Sequence, residues 1–398
     1  MFGRIVLFKT GESCYDSVNS MVVNLKKELE LLGIICDEID VSRAPEQVLK
    51  DMEVITSRKY DAAIAINAVG QQNVSLSGKN IFDLYEIPFI NILLDHPMDH
   101  YANLKSTCSN YHVVCVDRNH LAFLKRYFPN LAGVYFLPHA AAYDENSEFK
   151  EISARSQDVI FDGTIIGKSC QTMIEEFKKY PEPYNNLILH VIDRMLSCRN
   201  EDICAAYDYV IHEELKLDIP DDEYLDILSK IQISNYFMRT FQREEILGSI
   251  LKSNIPIHLY GEGMQRLFDR YPDNKAIYHG TVPFSTMSEI YSDAKIVLNI
   301  MPLFKNGCHE RIPFTMLQGA AVLTDHSEYI ADTFGDCVFT YSYNDDFSEK
   351  IHDILKDEDL LSQTAKKGRE YALLNFTWKQ YARSILNIAE HSGFACIS

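Results

Sequence analysis

The stretch KIVLNIMPLFKNGCHERIPFTMLQGAAVLTDHSEYI, residues Lys295 to Ile330, decides how the chain is read. It opens on a buried-strand pattern, Lys295 to Met301, and passes through a loop, Pro302 to His309, that holds a lysine, a glycine and a histidine. A helical segment from Glu310 to Gln318 follows, closed by Gly319, and a second apolar strand from Ala320 to Leu323 ends in Thr324-Asp325. Strand, turn, helix, strand is the repeating unit of a parallel α/β sheet, and such sheets bind ligands outside the carboxyl ends of their strands. A helix N-terminus adds unsatisfied N–H groups and partial positive charge, which suits a phosphate. The stretch therefore reads as an anion-binding turn with ionisable residues beside it.

The same alternation runs outward in both directions. Arg4–Phe8, Ile34–Val41, Ala62–Val69, Pro88–Leu94, Val113–Val116 and Val134–Leu137 read as strands; helical spacing over Ser17–Leu32, Pro45–Met52 and Asn119–Phe128 fills gaps between them. A first doubly wound domain over residues 1–145 results. The polar stretch Tyr143 to Gln157 reads as a linker. A second domain over 155–375 starts with the strand Val159–Phe161 and resumes with strands at Ile255–Tyr260, Ala276–His279, Ile296–Met301, Ala321–Thr324 and Val338–Tyr341. Between its first two strands, residues 168–251 are almost all helical and read as an insertion. Asp359–Asn375 and Trp378–His391 are terminal helices.

Composition narrows the class. At 398 residues, 46% hydrophobic and 24% charged, the chain has the size of two ordinary globular domains. No apolar run approaches the length of a transmembrane helix, and the N-terminus reads as a first strand rather than a signal peptide. Ten scattered cysteines without a C-x-x-C pair point to reduced thiols and a cytoplasmic location. A formal net charge of −19 disfavours nucleic acid and anionic membranes as partners.

Several motifs resemble one family. His309-Glu310-Arg311 with Gly319 and Leu323-Thr324-Asp325 is similar to the donor-binding segment of group 1 glycosyltransferases, and more narrowly of bacterial spore-maturation-type glycosyltransferases. Phe161-Asp-Gly-Thr164, Leu259-Tyr-Gly-Glu-Gly263, His279-Gly-Thr281, Leu94-Asp-His-Pro97 and Phe136-Leu-Pro-His139 extend the resemblance over most of the chain. The resemblance implies the GT-B fold: two Rossmann-like parallel-sheet domains facing a cleft, with the last helix, 376–398, crossing back onto the first. It implies transfer of a sugar from a nucleotide diphosphate sugar, a UDP-sugar above all, to an acceptor hydroxyl. Retention and metal independence go with it. No cofactor is implied, the nucleotide sugar being a co-substrate. The acceptor is a protein, a glycan or a small molecule. Two other readings fit the same architecture: a nucleotide-sugar epimerase, and a non-catalytic nucleotide-sugar-binding partner of a transferase.

Site residues follow from type and place. Gly163-Thr-Ile-Ile-Gly-Lys-Ser169 is one residue short of the phosphate loop G-x-x-x-x-G-K-[ST]. It reads instead as a glycine turn bringing backbone close to the donor diphosphate at Gly163 and Thr164, with Lys168 adding charge, or as a plain strand-to-helix turn. Tyr260-Gly261 and Gly280-Thr281 follow strands and resemble donor-facing loops; both also suit ordinary tight turns. Arg311 can grip a phosphate with two donors, Lys305 supplies a point charge, and His309 can reach a sugar hydroxyl. The family's ribose-binding glutamate falls at Phe314 here, with Glu310 nearby but out of register. Asp325 either meets the donor or caps the next helix. In the first domain Asp95, His96 and His139 lie at strand ends; His96 and His139 are read as approaching the reacting sugar, and Asp95 as orienting or acceptor-contacting. His96 and His100 stand four apart, but Pro97 argues against the helix a metal pair would need, and no metal site is expected.

Overall fold

The structure, a computed structural model, describes residues 3–11, 14–71, 75–76, 79–144, 148–165, 167–253 and 255–391. The chain divides into two compact units. The first takes the residues up to Ala142, Pro283–Ser285 and the chain from Leu374 onward; the second takes Tyr143–Val282 and Thr286–Leu373.

The first unit is built on six parallel strands: β1 (Arg4–Lys9), β2 (Ile35–Asp40), β3 (Ala62–Ile66), β4 (Phe89–Leu93), β5 (Tyr111–Cys115) and β6 (Gly133–Phe136), in the order β2-β1-β3-β4-β5-β6. Ala62 to Ile66 are all buried, as are Phe89 to Leu93 and Tyr111 to Cys115. Continuous burial of alternate side chains means that both sheet faces are covered, the condition for a parallel sheet. One face is covered by α1 (Ser17–Leu31), whose Met21, Val22, Leu25 and Leu29 recur at helical spacing and share a core cluster with Ile5, Leu7 and Ile64. The other helices used below are α2 (Pro45–Ser57) and α3 (Arg118–Tyr127). The last helix, Trp378–His391, belongs to this unit: Trp378, Tyr381, Ala382 and Ile385 join the α1 cluster. Residues 392–398 lie outside the described residues, as does part of the expected linker, 145–147.

The second unit has β7 (Gln157–Asp162), β8 (His258–Tyr260), β9 (Ile277–Gly280), β10 (Ala294–Leu298), β11 (Ala321–Asp325) and β12 (Phe339–Tyr341), in the order β9-β8-β7-β10-β11-β12. Every pair is parallel. Counted from β7 this is the 3-2-1-4-5-6 order of a Rossmann sheet, so the chain changes direction between β7 and β10. Between β7 and β8 run α4 (Cys170–Phe177), α5 (Tyr184–Ser197), α6 (Ile203–Asp208), α7 (Asp221–Ile231) and α8 (Ile233–Lys252). The last of these is not inserted bulk. Ile246, Leu247, Ile250 and Leu251 of α8 pack in one cluster with Val159, Phe161 and Leu259 of the sheet. α8 is thus the crossover helix that joins β7 to β8, and the added helices stop before it, which shortens the expected insertion of 168–251. α9 (Arg311–Leu317) and α10 (Trp378–His391) complete the set used below.

Candidate functional site

The change of direction between β7 and β10 leaves a crevice at the carboxyl ends of these strands, and a buried polar network fills its floor. Asp162 is the last residue of β7, and Arg311 the first of α9. The Arg311 Nε donates to Asp162 Oδ1 at 2.7 Å, and its Nη2 donates to the Asp162 carbonyl at 2.8 Å and to Oδ2 at 3.3 Å. Its Nη1 donates to Asn299 Oδ1 at 2.8 Å. The Tyr291 hydroxyl also donates to Asp162 Oδ1, at 2.7 Å. Asn299 passes the chain on: its Nδ2 donates to Thr324 Oγ1 at 2.9 Å, and its carbonyl accepts from the Tyr341 hydroxyl at 3.0 Å. The Thr324 hydroxyl then donates to Asp325 Oδ1 at 3.1 Å. Arg311 is 4% exposed. Burial opposes its charge, but the Asp162 carboxylate outweighs burial and holds the guanidinium above its ordinary value. Burial pushes the Asp325 carboxyl up, against the pull of the Lys305 charge and the Thr324 hydroxyl.

Above this floor a small cavity is lined by Asn299, Phe304, His309, Ile312, Asp325 and Ser327. Of the expected donor residues, the structure brings His309 and Asp325 together here. Lys305 is beside them, 5.8 Å from the Tyr343 ring. Tyr343 in turn places its hydroxyl 3.4 Å from Asp325 Oδ2 and 3.2 Å from Gln242 Oε1 of α8. The His309 Nδ1 accepts the Arg311 backbone N–H at 3.2 Å, and Glu310 lies 3.6 Å from its Nε2.

Three expectations are corrected by this geometry. The Arg311 guanidinium is not offered to a phosphate: every nitrogen of it is already bonded inside the protein. The turn before α9 is not a free helix N-terminus, since α9 is seven residues long and its first N–H is taken by His309. Phe314, in the register of the family's ribose glutamate, is buried against Tyr291 with ring centroids 5.1 Å apart.

The glycine turns serve the neighbouring turn rather than a ligand. Gly163 donates to the Tyr260 carbonyl at 3.0 Å, Ile165 to the Glu262 carbonyl at 2.9 Å, and Gly261 to the Gly280 carbonyl at 2.7 Å. A Cβ on Gly261 would overlap the Gly163 carbonyl, and one on Gly263 the Ile165 carbonyl; both residues have positive φ, +111° and +80°. The loops after β7, β8 and β9 are therefore laced backbone to backbone. Tyr260 stacks on His279 with centroids 4.4 Å apart, and its hydroxyl donates to Gln157 at 2.9 Å. Thr281 is exposed. Ile166 of the near-phosphate-loop lies outside the described residues. Lys168 is exposed and pairs with Glu176 at 2.8 Å, while Ser169 caps α4 by accepting the Thr172 N–H at 3.2 Å. The segment works as a helix start, and Lys168 is turned to α4.

In the first unit, Asp95 is exposed and accepts from Asn67 Nδ2 at 3.0 Å. His96 is 6% exposed. Its Nδ1 accepts the Met98 N–H at 3.2 Å, capping the short 3-10 turn Pro97–His100, and its ring stands edge-on to His120 at 4.7 Å. Burial lowers His96 to about 3 and His139 to about 4. Both imidazoles are neutral near pH 7. Among the described residues no cluster of three His, Cys, Asp or Glu side chains suited to a metal forms.

Sequence reading passed over Asp162, Asn299, Tyr291 and Thr324. The available signal was a carboxylate as the last residue of a buried strand, directly before Gly163; it was read as part of a glycine turn.

Residues 239–387 match the family model described as glycosyl transferase-like. No curated protein matches the chain. Solved structures match along almost its whole length. Sucrose-phosphate synthase from Thermosynechococcus elongatus superposes with a TM-score of 0.55 at 11% identity, covering 98% of both chains. Anabaena HepE in complex with UDP and glucose gives 0.54 at 12% identity, covering 98% of this chain and 100% of that one. An alpha-glucosyltransferase in complex with UDP gives 0.55 at 10% identity, covering 97% and 99%. At these identities the likeness is one of fold. Among the described residues no helix is long and apolar enough to cross a membrane.

Proposed function

We propose that this chain, a glycosyltransferase of the GT-B fold, moves a sugar from a UDP-sugar to an acceptor hydroxyl, with retention and without a catalytic metal or cofactor. One observation carries the placement of the donor. The polar floor formed by Asp162, Arg311, Asn299 and Thr324 lies where the second unit's sheet changes direction between β7 and β10. That is the place at which open α/β sheets hold nucleotides. His309 and Asp325 line the cavity above it, and in this reading they meet the sugar and diphosphate. Arg311 acts as a positioning residue: it fixes Asp162 and Asn299, and through them the floor.

Retention rests on the state of the carboxylates. A covalent intermediate needs a carboxylate free to attack the anomeric carbon. Asp162 is held by Arg311 and Tyr291, and Asp325 is buried with its oxygens near Thr324 and Tyr343. Neither is free to attack. In the proposed course the departing diphosphate takes the acceptor proton on the same face, and the positive site stabilises the charge it gains.

The test is release of free nucleoside diphosphate from a panel of nucleotide sugars without acceptor. Slow release from one UDP-sugar supports the reading. No release from any sugar, together with no thermal shift from UDP or GDP, removes the donor site from this crevice.

A further inference from the structure

The turn after β7 carries a buried cation that the reading above does not use. Arg243 sits on α8, eight residues into the matched segment, and is 6% exposed. Its Nη1 donates to the Thr164 carbonyl at 2.5 Å. Its Nε, although buried, has no hydrogen-bond partner. No carboxylate touches it. The nearest candidate, Asp162, has both oxygens occupied by Arg311 and Tyr291. Its charge is felt by Arg311 and Arg239, and burial with these like charges lowers its pKa to about 9.

A buried arginine is ordinarily paired or hydrogen-bonded through all its donors, because an uncompensated charge in low dielectric is costly. The other cations at this turn obey that rule: Arg311 is paired with Asp162, and Lys168 with Glu176. Arg243 does not. The backbone offers no substitute donors, since Gly163 and Ile165 N–H groups are spent on Tyr260 and Glu262. Space is also reserved. A Cβ at Gly163 would stand 3.5 Å from the Arg243 Cζ and 3.0 Å from the Phe161 ring, so glycine leaves the guanidinium its approach to the turn.

We propose that Arg243 is the arginine that binds the diphosphate of the nucleotide donor, its unpartnered Nε completing a charge-assisted hydrogen bond to a phosphate oxygen at the Gly163–Thr164 turn. This rests on the donor reading given above and deepens it. It gives the crossover helix, rather than the loop before α9, the task of holding the leaving group. Arginine suits the task because its planar fork donates to two phosphate oxygens at once.

Binding of UDP, uridine and inorganic pyrophosphate to wild type, Arg243→Met and Arg243→Lys, measured by calorimetry with thermal unfolding of each apo protein, tests it. The expected result is a UDP affinity at least tenfold weaker in Arg243→Met, partly restored in Arg243→Lys, with uridine affinity unchanged in all three. The apo melting temperature of Arg243→Met should hold or rise, because an uncompensated buried charge has been removed; a purely structural arginine would lower it. Equal UDP affinity in wild type and Arg243→Met overturns the assignment and leaves the donor reading standing. Loss of uridine and UDP binding alike, with a lowered melting temperature in Arg243→Lys as well, shows a structural arginine and also overturns it. If wild type binds no nucleoside diphosphate, the donor reading itself fails, and this assignment with it.

Discussion

The Arg311 guanidinium and the Asp162 carboxylate form a buried pair with Nε to Oδ1 at 2.7 Å, joining the start of α9 to the end of β7. Breaking such a pair from one side leaves a charge in low dielectric, which costs far more than the pair's net worth. Asp162→Asn should therefore destabilise the second unit by about 3 kcal/mol. Replacing both partners, Arg311→Met with Asp162→Leu, should recover much of that loss, because no bare charge remains. Chemical denaturation of both variants reads the difference. A double variant no more stable than Asp162→Asn would mean that the bonds to Asn299 and Tyr291, not charge compensation, dominate the floor.

The laced turns make a sharper steric prediction. Gly263→Ala would drive a Cβ into the Ile165 carbonyl, on a residue whose φ of +80° already disfavours a side chain. About 2–3 kcal/mol should be lost, the usual cost of overpacking against atoms that cannot give. Gly167→Ala meets nothing within 4 Å and should change stability by less than about 0.5 kcal/mol. Melting curves of the two single variants decide it, and equal losses would refute the backbone lacing as the reason for Gly263.

These turns also show how far the sequence could be read. Strand and helix positions were legible almost to the residue, because parallel strands buried on both faces, such as Ala62–Ile66, read as unbroken apolar runs, and because α1 keeps its apolar residues on one stripe. The crevice was legible too, since strand order follows from alternation. What the sequence could not show is which cation meets which anion. Lys168 and Arg311 looked available to a phosphate because their partners, Glu176 and Asp162, are named by tertiary packing alone; Glu176 is eight residues away and Asp162 is 149. Arg243 was hidden for the same reason, in a helix read as inserted bulk.

Lys168 gives that lesson a direct check. Its ammonium is exposed and paired with Glu176, and exposed pairs contribute little. Lys168→Ala should leave UDP affinity within about twofold and stability within about 0.5 kcal/mol. A tenfold loss of UDP affinity in titration would return Lys168 to the donor site.

Asp325 carries a pH signature of its own. Burial raises its carboxyl pKa in the folded chain above the unfolded value. The folded state therefore holds the proton more tightly, so this stabilising contribution is complete below the unfolded pKa and is lost as pH rises through the folded one. Asp325→Asn, which cannot ionise, should gain on wild type as pH climbs from about 4 toward 7. Denaturation midpoints of the two proteins across that range should diverge upward. Parallel curves would show that Lys305 and the Thr324 hydroxyl neutralise the cost of burial.

The histidines of the first unit titrate with the opposite sign. Burial lowers His96 to about 3 and His139 to about 4, against an ordinary value of 6.5. Unfolded, each takes up a proton as pH falls below 6.5; folded, each resists until its own lowered value. Stability is thus fully present above 6.5 and drains away as pH drops toward 4, by up to about 1.4 kcal/mol per pH unit for each proton. His139→Gln should flatten this acid limb without altering stability at pH 8 by the same measure. The argument extends to activity, because a neutral imidazole with so low a pKa gives no ionisation near neutrality. The rate profile of the wild type should show no limb at pH 6–7 that His96→Asn removes. A limb there, lost in that variant alone, would restore His96 to the chemistry of transfer.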